Sequence, residues 1–145
     1  LDVHQGNGTA SIFKDDSSVF TFSMHGEKNF PFRKEASDLD IGLPDGCEDE
    51  EYLRNLDYGL QRVDQDFNPE FVIYLAGADP YKGDRLGRLG LSIEGLGLRD
   101  EKVLQWCHIR KTPVAIAMAG GYGNCIEETV AIHAQTIRKA IAFQW

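Results

Sequence analysis

Two apolar runs, each followed by a segment of helical length, place the strongest limit on how this chain can fold. Residues 71–76 form a continuous apolar run that is typical of a strand buried on both faces of a sheet, and residues 114–118 are again strand-like. A helix is predicted after each run, over residues 92–110 and over residues 124–141. This strand, helix, strand, helix order predicts parallel strands joined by crossover helices, and therefore an α/β fold.

The residues before these runs extend the same pattern. Strands are predicted over residues 19–24, which are rich in aromatic and β-branched side chains, and over residues 39–43. Apolar residues recur at three- and four-residue spacing over residues 49–67, and the acidic start of this segment suits the positive end of a helix. Residues 9–13 are predicted to form a short helix and residues 25–38 a loop. We therefore expect a parallel sheet flanked by helices.

Composition excludes several classes of partner. The 145 residues, 42% hydrophobic and 26% charged, suit a single soluble globular domain. The net charge of −8 argues against a nucleic-acid surface, because phosphate binding depends on Lys and Arg. No apolar run approaches the roughly 20 residues that span a bilayer, so no membrane partner is expected. Three widely spaced cysteines indicate reduced thiols, and we expect a cytoplasmic protein.

The first nine residues contain an Asp-x-His pair before a glycine turn. Asp2 and His4 are two positions apart, and in a strand-like segment both side chains point to the same side. Carboxylate oxygen and imidazole nitrogen are ordinary zinc ligands, so the pair is a candidate half of a metal site. Taken alone, it fits equally well a turn in which Asp2 accepts backbone amides.

Further polar residues follow the two apolar runs. Asp79 comes after the first run, and Tyr122 comes after the second on a glycine-rich turn. Ligands of open α/β sheets bind outside the carboxyl ends of strands, so these residues are expected to converge with Asp2 and His4. Two carboxylates and one imidazole would leave a fourth zinc position open, and the Tyr122 hydroxyl could donate to an oxyanion. The alternatives are an Asx turn at Asp79 and an ordinary half-buried tyrosine.

Four motifs occur in order along nearly the whole chain. They are Asp-Val-His-Gln-Gly-Asn-Gly-Thr at 2–9, Gly-Ala-Asp at 77–79, Gly-Asp-Arg-Leu-Gly at 83–87 and Ala-Gly-Gly-Tyr at 119–122. In order and spacing they resemble the zinc-dependent histone deacetylase family, most of all its class IV type and bacterial relatives. The resemblance implies the arginase/deacetylase α/β fold, here incomplete, with residues 1–145 forming the C-terminal portion of a single catalytic domain.

The resemblance also implies roles for matching positions. Asp2, His4 and Asp79 would bind zinc, and Tyr122 would polarise the acyl carbonyl of the substrate. Other matching residues would line the channel for the acyl-lysine stem: Phe30, Gly120 and Gly121. Main-chain oxygens would hold a possible second cofactor, potassium, at Asp2, His4, Ser23 and Met24. Ala119 stands where many family members have another glycine.

One family feature has no counterpart in this chain. Family members take their general acid and base from a His-His pair upstream of the Asp-x-His motif. The histidines here are His4, His25, His108 and His133, and no two of them adjoin. We therefore expect the proton-transferring histidines to lie outside this chain, and the chain alone to be inactive.

The expected activity is zinc-dependent hydrolysis of an acylated amine, with acetyl- or acyl-lysine as the first candidate and a small acylated amine as the second. An arginase-like metal hydrolase is one alternative, but it needs two manganese ions and further Asp ligands, whereas Gln5 and Asn7 occupy the nearby positions. A non-catalytic metal- or peptide-binding domain of the same fold is the other alternative.

Overall fold

The computed structural model of the protein describes residues 1–143. Short strands and longer helices alternate along most of this range. In chain order the elements are α1 (Asn7–Phe13), β1 (Phe22–Gly26), β2 (Leu39–Leu43), α2 (Asp49–Asp66), β3 (Val72–Leu75), α3 (Ile93–Arg110), β4 (Val114–Ala117) and α4 (Ile126–Ala142). The predicted α/β class is confirmed.

The strands pair in parallel, as the strand and helix order predicts. Phe22 of β1 lies opposite Leu39 of β2, and Val72 of β3 lies opposite Val114 of β4. Helix α3 provides the crossover between β3 and β4. Within residues 1–143 the strands form two separate two-stranded sheets rather than one continuous sheet.

Helix α2 buries one face at the predicted spacing. Tyr52, Leu56 and Val63 are buried, and they recur at intervals of four and seven residues, which places them on one side of the helix. Acidic residues occupy the first turn, where they favour the positive end of the helix dipole: Asp49, Glu50 and Glu51. The helix ends at Asp66, one residue before the predicted end.

Helix α3 begins at a side-chain cap that also joins it to α2. Ser92 Oγ accepts the backbone N–H of Gly95 at 2.9 Å, which satisfies one otherwise unpaired amide of the first turn. Ser92 in turn donates through its backbone N–H and its hydroxyl to the carboxylate of Asp49. The starts of the two helices are therefore fixed to each other.

The hydrophobic core reaches the segments that carry the candidate site residues. Val3 is fully buried between Asp2 and His4, and Ala78 is buried next to Asp79. Both apolar residues belong to the same core cluster as Leu96 of α3. Full burial of a valine side chain contributes about 1.5–3 kcal/mol, so Val3 anchors the segment of Asp2 and His4 to the core.

Strand β1 is displaced from its predicted position. It covers Phe22–Gly26 rather than residues 19–24, so the first two residues of the predicted loop at 25–38 belong to the strand.

Two further predictions of secondary structure are wrong in detail. Residues 1–6 form no strand; they are held by single long-range hydrogen bonds, such as Gly26 N–H to the Val3 carbonyl at 2.9 Å. The spacing of Asn124 and Glu127 predicts an N-cap pair. Instead, the Asn124 side chain donates to the Gly83 carbonyl at 3.2 Å, and α4 begins at Ile126.

The apolar run at 71–76 is not buried on both faces within residues 1–143. Ile73 and Leu75 of β3 are 69% and 44% exposed, whereas Tyr74 between them is buried. Strand β4 alternates in the same way, with Ala115 and Ala117 exposed. One face of the β3–β4 sheet is therefore uncovered in this part of the molecule.

No helix among the described residues is both long enough and apolar enough to cross a membrane.

Candidate active site

Three candidate metal ligands lie together at the junction of the first loop and the loop after β3. One ligand atom from each of Asp2, His4 and Asp79 lies within 4.8 Å of the other two. His4 Nδ1 is 2.8 Å from Asp2 Oδ1 and 3.2 Å from Asp79 Oδ2. Asp79 is fully buried, while the His4 side chain is about a third exposed at 32%. The structure thus brings the predicted ligands together at a partly open site.

Backbone amides fix the orientation of both carboxylates. Asp2 accepts the N–H of His4 through Oδ1 and the N–H of Gly120 through Oδ2, each at 2.9 Å. Asp79 accepts the N–H of Val3 through Oδ1 at 2.8 Å. The other Asp79 oxygen, Oδ2, is buried and has no hydrogen-bond partner among the described residues. It faces the His4 ring instead, which leaves it free to bind a cation.

The electrostatics of the two carboxylates differ. Burial, followed by the neighbouring charge of Asp2, raises the pKa of Asp79 to about 7. Burial also acts to raise the pKa of Asp2, but hydrogen bonds from the amides of His4 and Gly120 outweigh it, and the pKa is lowered. Two adjacent carboxylates with an imidazole form a donor set that suits a divalent ion such as zinc, whose charge would offset their repulsion.

Two glycines allow the backbone to approach these carboxylates. A Cβ atom on Gly77 would lie 2.7 Å from Asp2 Oδ2, and one on Gly120 would lie 2.9 Å from the same oxygen. The Gly120 Cβ would also lie 3.0 Å from Cγ of Asp79. Only a residue without a side chain fits at either position. The predicted role of Gly120 is to line the substrate channel, whereas the sequence predicts no role for Gly77, although the Gly-Ala-Asp motif contains it.

Tyr122 lies on the loop that also carries Gly120, and its side chain is 55% exposed. The Tyr122 N–H donates to Asp84 Oδ2 at 2.6 Å, and the Tyr122 carbonyl accepts from Arg85 N at 3.1 Å. Asp84 Oδ1 accepts the N–H of Gly87 at 2.7 Å, so one carboxylate closes its own turn and holds the tyrosine loop. The sequence marked the motif at 83–87 but not this role of Asp84.

The predicted channel residue Phe30 lies on the loop between β1 and β2. Its side chain is 64% exposed and meets Phe32 edge to face, with the ring centroids 6.0 Å apart. The neighbouring Asn29 side chain donates to the Leu86 carbonyl at 2.9 Å. This contact ties the Phe30 loop to the motif that also holds the Tyr122 loop.

Gly121, the other predicted channel residue, packs against the loop that follows β3. A Cβ atom there would lie 3.0 Å from the Cβ of Ala78 and 3.1 Å from Cγ2 of Thr129. Its backbone therefore lies between the Asp79 loop and helix α4. This close packing limits movement of the loop that carries Tyr122.

The residues of the predicted potassium site lie in two adjacent segments. Ser23 and Met24 are buried in β1, and Ser23 Oγ accepts the N–H of Gly6 at 3.3 Å. His25 hydrogen bonds to the same Ser23 hydroxyl at 3.0 Å, and burial lowers the pKa of this histidine. A potassium site built from main-chain oxygens requires that these two segments lie close together, as they do. Potassium binding itself stays a prediction.

Gln5 occupies a position near His4 at which the arginase-like alternative would need a further Asp ligand. Its side chain is buried, and its Nε2 donates to the Glu35 carbonyl at 2.7 Å and to Asp40 Oδ1 at 2.9 Å. The residue thus has a structural role beside the site. Among the described residues, the one group of three or more potential metal ligands is the Asp2, His4 and Asp79 cluster.

The fold matches solved structures of the arginase/deacetylase class. An acetylpolyamine aminohydrolase from Burkholderia pseudomallei aligns with a TM-score of 0.80 at 22% identity, over 97% of this chain and 43% of that chain. A histone deacetylase homologue from Aquifex aeolicus aligns with a TM-score of 0.79 at 25% identity, over 97% of this chain and 40% of that one. The class of fold implied by the four motifs is confirmed.

The sequence comparison gives the family. A model described as the histone deacetylase domain matches residues 1–139, and the chain belongs to this family. An uncharacterized protein of Picosynechococcus is 48% identical over 140 residues, covering 97% of this chain and 47% of its own length. Histone deacetylase 2 of Arabidopsis thaliana is 38% identical over 134 residues, covering 90% of this chain and 35% of its own length. The chain therefore spans less than half the length of either relative.

Proposed function

We propose that the protein carrying this chain hydrolyses an acylated amine, with acetyl- or acyl-lysine as the substrate. Family membership supports the reaction class, and relatives are named histone deacetylase or acetylpolyamine aminohydrolase. The observation that carries the proposal is the partly open cluster of Asp2, His4 and Asp79 beside the loop of Tyr122. Residues 1–145 would form the C-terminal portion of one catalytic domain.

Zinc is the metal that we assign to the cluster. Its ligands would be one oxygen from each carboxylate and the partly exposed imidazole of His4, with Asp79 Oδ2 as the oxygen that lacks a hydrogen-bond partner among the described residues. Zinc bound there supplies Lewis acidity, which polarises a carbonyl and makes water a stronger nucleophile. The amides of Val3, His4 and Gly120 would hold the two carboxylates in the orientation for binding.

Tyr122 would act on the substrate directly. Its side chain is exposed on a loop that Asp84 holds in place, so its hydroxyl is available to donate to an oxyanion that develops on the acyl carbonyl. Phe30, Gly120 and Gly121 would line the channel for the amine stem. An exposed aromatic ring suits the methylene groups of a lysine side chain.

Proton transfer is assigned to histidines outside this chain. His25 is buried against Ser23, and its pKa is lowered by burial, so it serves the interior rather than the open site. His108 and His133 lie on α3 and α4. A potassium ion held by main-chain oxygens of Asp2, His4, Ser23 and Met24 belongs to the same proposal, as does a cytoplasmic location, which suits three free cysteines.

The test compares metal content and turnover in the purified protein. We expect stoichiometric zinc and hydrolysis of an acetyl-lysine peptide, with activity lost on chelation and restored by zinc. An acetylated polyamine assayed in parallel distinguishes a lysine substrate from a small amine. Zinc binding without hydrolysis of either substrate would favour the non-catalytic binding domain, and the absence of zinc would refute the metal centre.

A further inference from the structure

A fully buried arginine lies directly behind the candidate metal ligands. Arg99 of α3 is 0% exposed. Its Nη1 donates to two main-chain carbonyls, that of Leu1 at 3.0 Å and that of Gly77 at 2.7 Å. Leu1 immediately precedes Asp2, and Gly77 lies two residues before Asp79. A single guanidinium nitrogen therefore joins the two backbone segments that present the carboxylates.

The other side of the guanidinium is fixed by an adjacent carboxylate. Arg99 Nε and Nη2 lie 2.9 Å and 2.8 Å from Oδ1 of Asp100, which is also 0% exposed. Asp100 accepts further hydrogen bonds from the hydroxyls of Tyr74 on β3 and Thr136 on α4. Hydroxyls from β3 and α4 thus fix Asp100, and Asp100 in turn fixes the guanidinium, whose Nη1 donates to the two carbonyls.

This arrangement suits a positioning role better than simple packing. A buried ion pair contributes little net stability, because desolvation offsets the attraction between the charges. Arginine is the side chain that can satisfy a carboxylate and two carbonyls at once, since its donors form a rigid fork. Lysine offers one nitrogen, which cannot donate to the carbonyls of Leu1 and Gly77 from the Nη1 position and also donate to Asp100 from the Nε position.

We propose that Arg99 is a positioning residue of the metal centre, which sets the spacing of Asp2 and Asp79 by holding the carbonyls of Leu1 and Gly77. The inference rests on the proposed function, because it takes these carboxylates to be metal ligands. Residues behind metal ligands orient them, and their loss typically lowers metal affinity by about 10–100-fold. Arg99 would act through the backbone of the ligands and would not contact the metal.

The test uses Arg99→Lys and Arg99→Met in the protein that carries this chain, with Thr136→Val as the matched control. Thr136→Val removes one hydrogen bond from Asp100 in the same buried network but leaves both carbonyl contacts of Arg99 in place. Zinc affinity is measured by competition with a chelator. The visible absorption of the cobalt-substituted protein reports ligand geometry, and denaturant unfolding of the metal-free protein reports stability separately.

We expect both Arg99 variants to bind zinc about 10–100-fold more weakly and to show altered cobalt bands. Thr136→Val should lose stability yet keep wild-type zinc affinity and cobalt bands. If Arg99→Lys keeps the zinc affinity and the cobalt absorption bands of the wild type, the positioning role of Arg99 is refuted, while the proposed function is not affected. If Arg99→Met does not fold, the zinc affinity of Arg99→Lys decides the question. If neither variant folds, Arg99 serves general stability, and the positioning role is refuted. Wild-type protein without zinc would overturn the proposed function itself.

Discussion

The backbone N–H of Val3 donates to Oδ1 of Asp79 at 2.8 Å and joins positions that are 76 residues apart in the chain. Val3 lies between Asp2 and His4, so one Asp79 oxygen anchors the segment that carries the other two candidate ligands. The second oxygen of Asp79 faces His4. One carboxylate therefore combines a structural contact with a candidate ligand atom, and the two roles can be separated by mutation.

Asp79→Asn should abolish zinc binding while the fold is retained. The amide oxygen can still accept the Val3 N–H, but the negative charge and a strong ligand are lost. Metal analysis of the purified variant checks this, with Asp16→Asn as the control, because Asp16 is exposed and contacts Ser18. Full zinc occupancy in the Asp79 variant would contradict the assignment.

Gly120→Ala should weaken zinc binding without any change to a ligand. The added Cβ would lie 2.9 Å from Asp2 Oδ2, so the carboxylate or the loop must move. Gly8→Ala is the matched control, since a Cβ there meets nothing within 4 Å and lies in helix α1. Chelator competition on both variants measures the effect. Equal zinc affinities would indicate that the loop relaxes without cost to the site.

Tyr122→Phe should lower turnover by about 10²–10³-fold, the usual cost of losing one oxyanion donor. Substrate binding should change far less, because the hydrogen bond strengthens mainly in the transition state. Steady-state kinetics on an acetyl-lysine peptide separate the two effects. Tyr58→Phe is the control, since Tyr58 is similarly exposed at 48% but lies on α2. Near-normal turnover in the Tyr122 variant would leave that residue a role in packing only.

Local patterns predicted those elements whose stabilising interactions are mostly local. The spacing of Leu56 and Val63 marks α2, and Ser92 marks the start of α3 through its own hydroxyl. The sequence around Val3 predicts a strand, but the hydrogen-bond partners of this residue, Gly26 and Asp79, are distant in the chain. Contacts between residues so far apart leave no periodic pattern in the local sequence, so the sequence alone does not predict this loop.

The supporting residues of the site were harder to predict than the candidate ligands. Asp2, His4 and Asp79 can be predicted as ligands from the sequence, because carboxylate and imidazole groups are ordinary metal ligands. Arg99 looks like an ordinary solvated charge on a helix, and its burial depends on carbonyls from two distant segments. Gly77 is needed because of side chains that approach it only in the folded chain.

The free energy of unfolding should fall less in mild acid for His133→Gln than for the wild type. The His133 ring is half-buried, and its Nδ1 has no hydrogen-bond partner among the described residues. Burial, and then the positive charge of Arg99, lowers the pKa of His133 below its ordinary value of 6.5, with Asp100 opposing the shift. The unfolded chain therefore takes up this proton at a higher pH than the folded chain does.

The sign of the effect follows from that difference. Above the unfolded pKa, His133 is neutral in both states and contributes nothing to the pH dependence. As the pH falls through about 6.5, the unfolded state binds the proton first, and the free energy of unfolding drops until the folded pKa is passed. Denaturant unfolding at about pH 8 and about pH 5 should therefore give a smaller difference for His133→Gln than for the wild type. The pH 8 measurement serves as the control for packing, because the histidine is uncharged there in both states. An unchanged difference between the two pH values would mean that His133 takes up its proton equally well in the folded and unfolded chain.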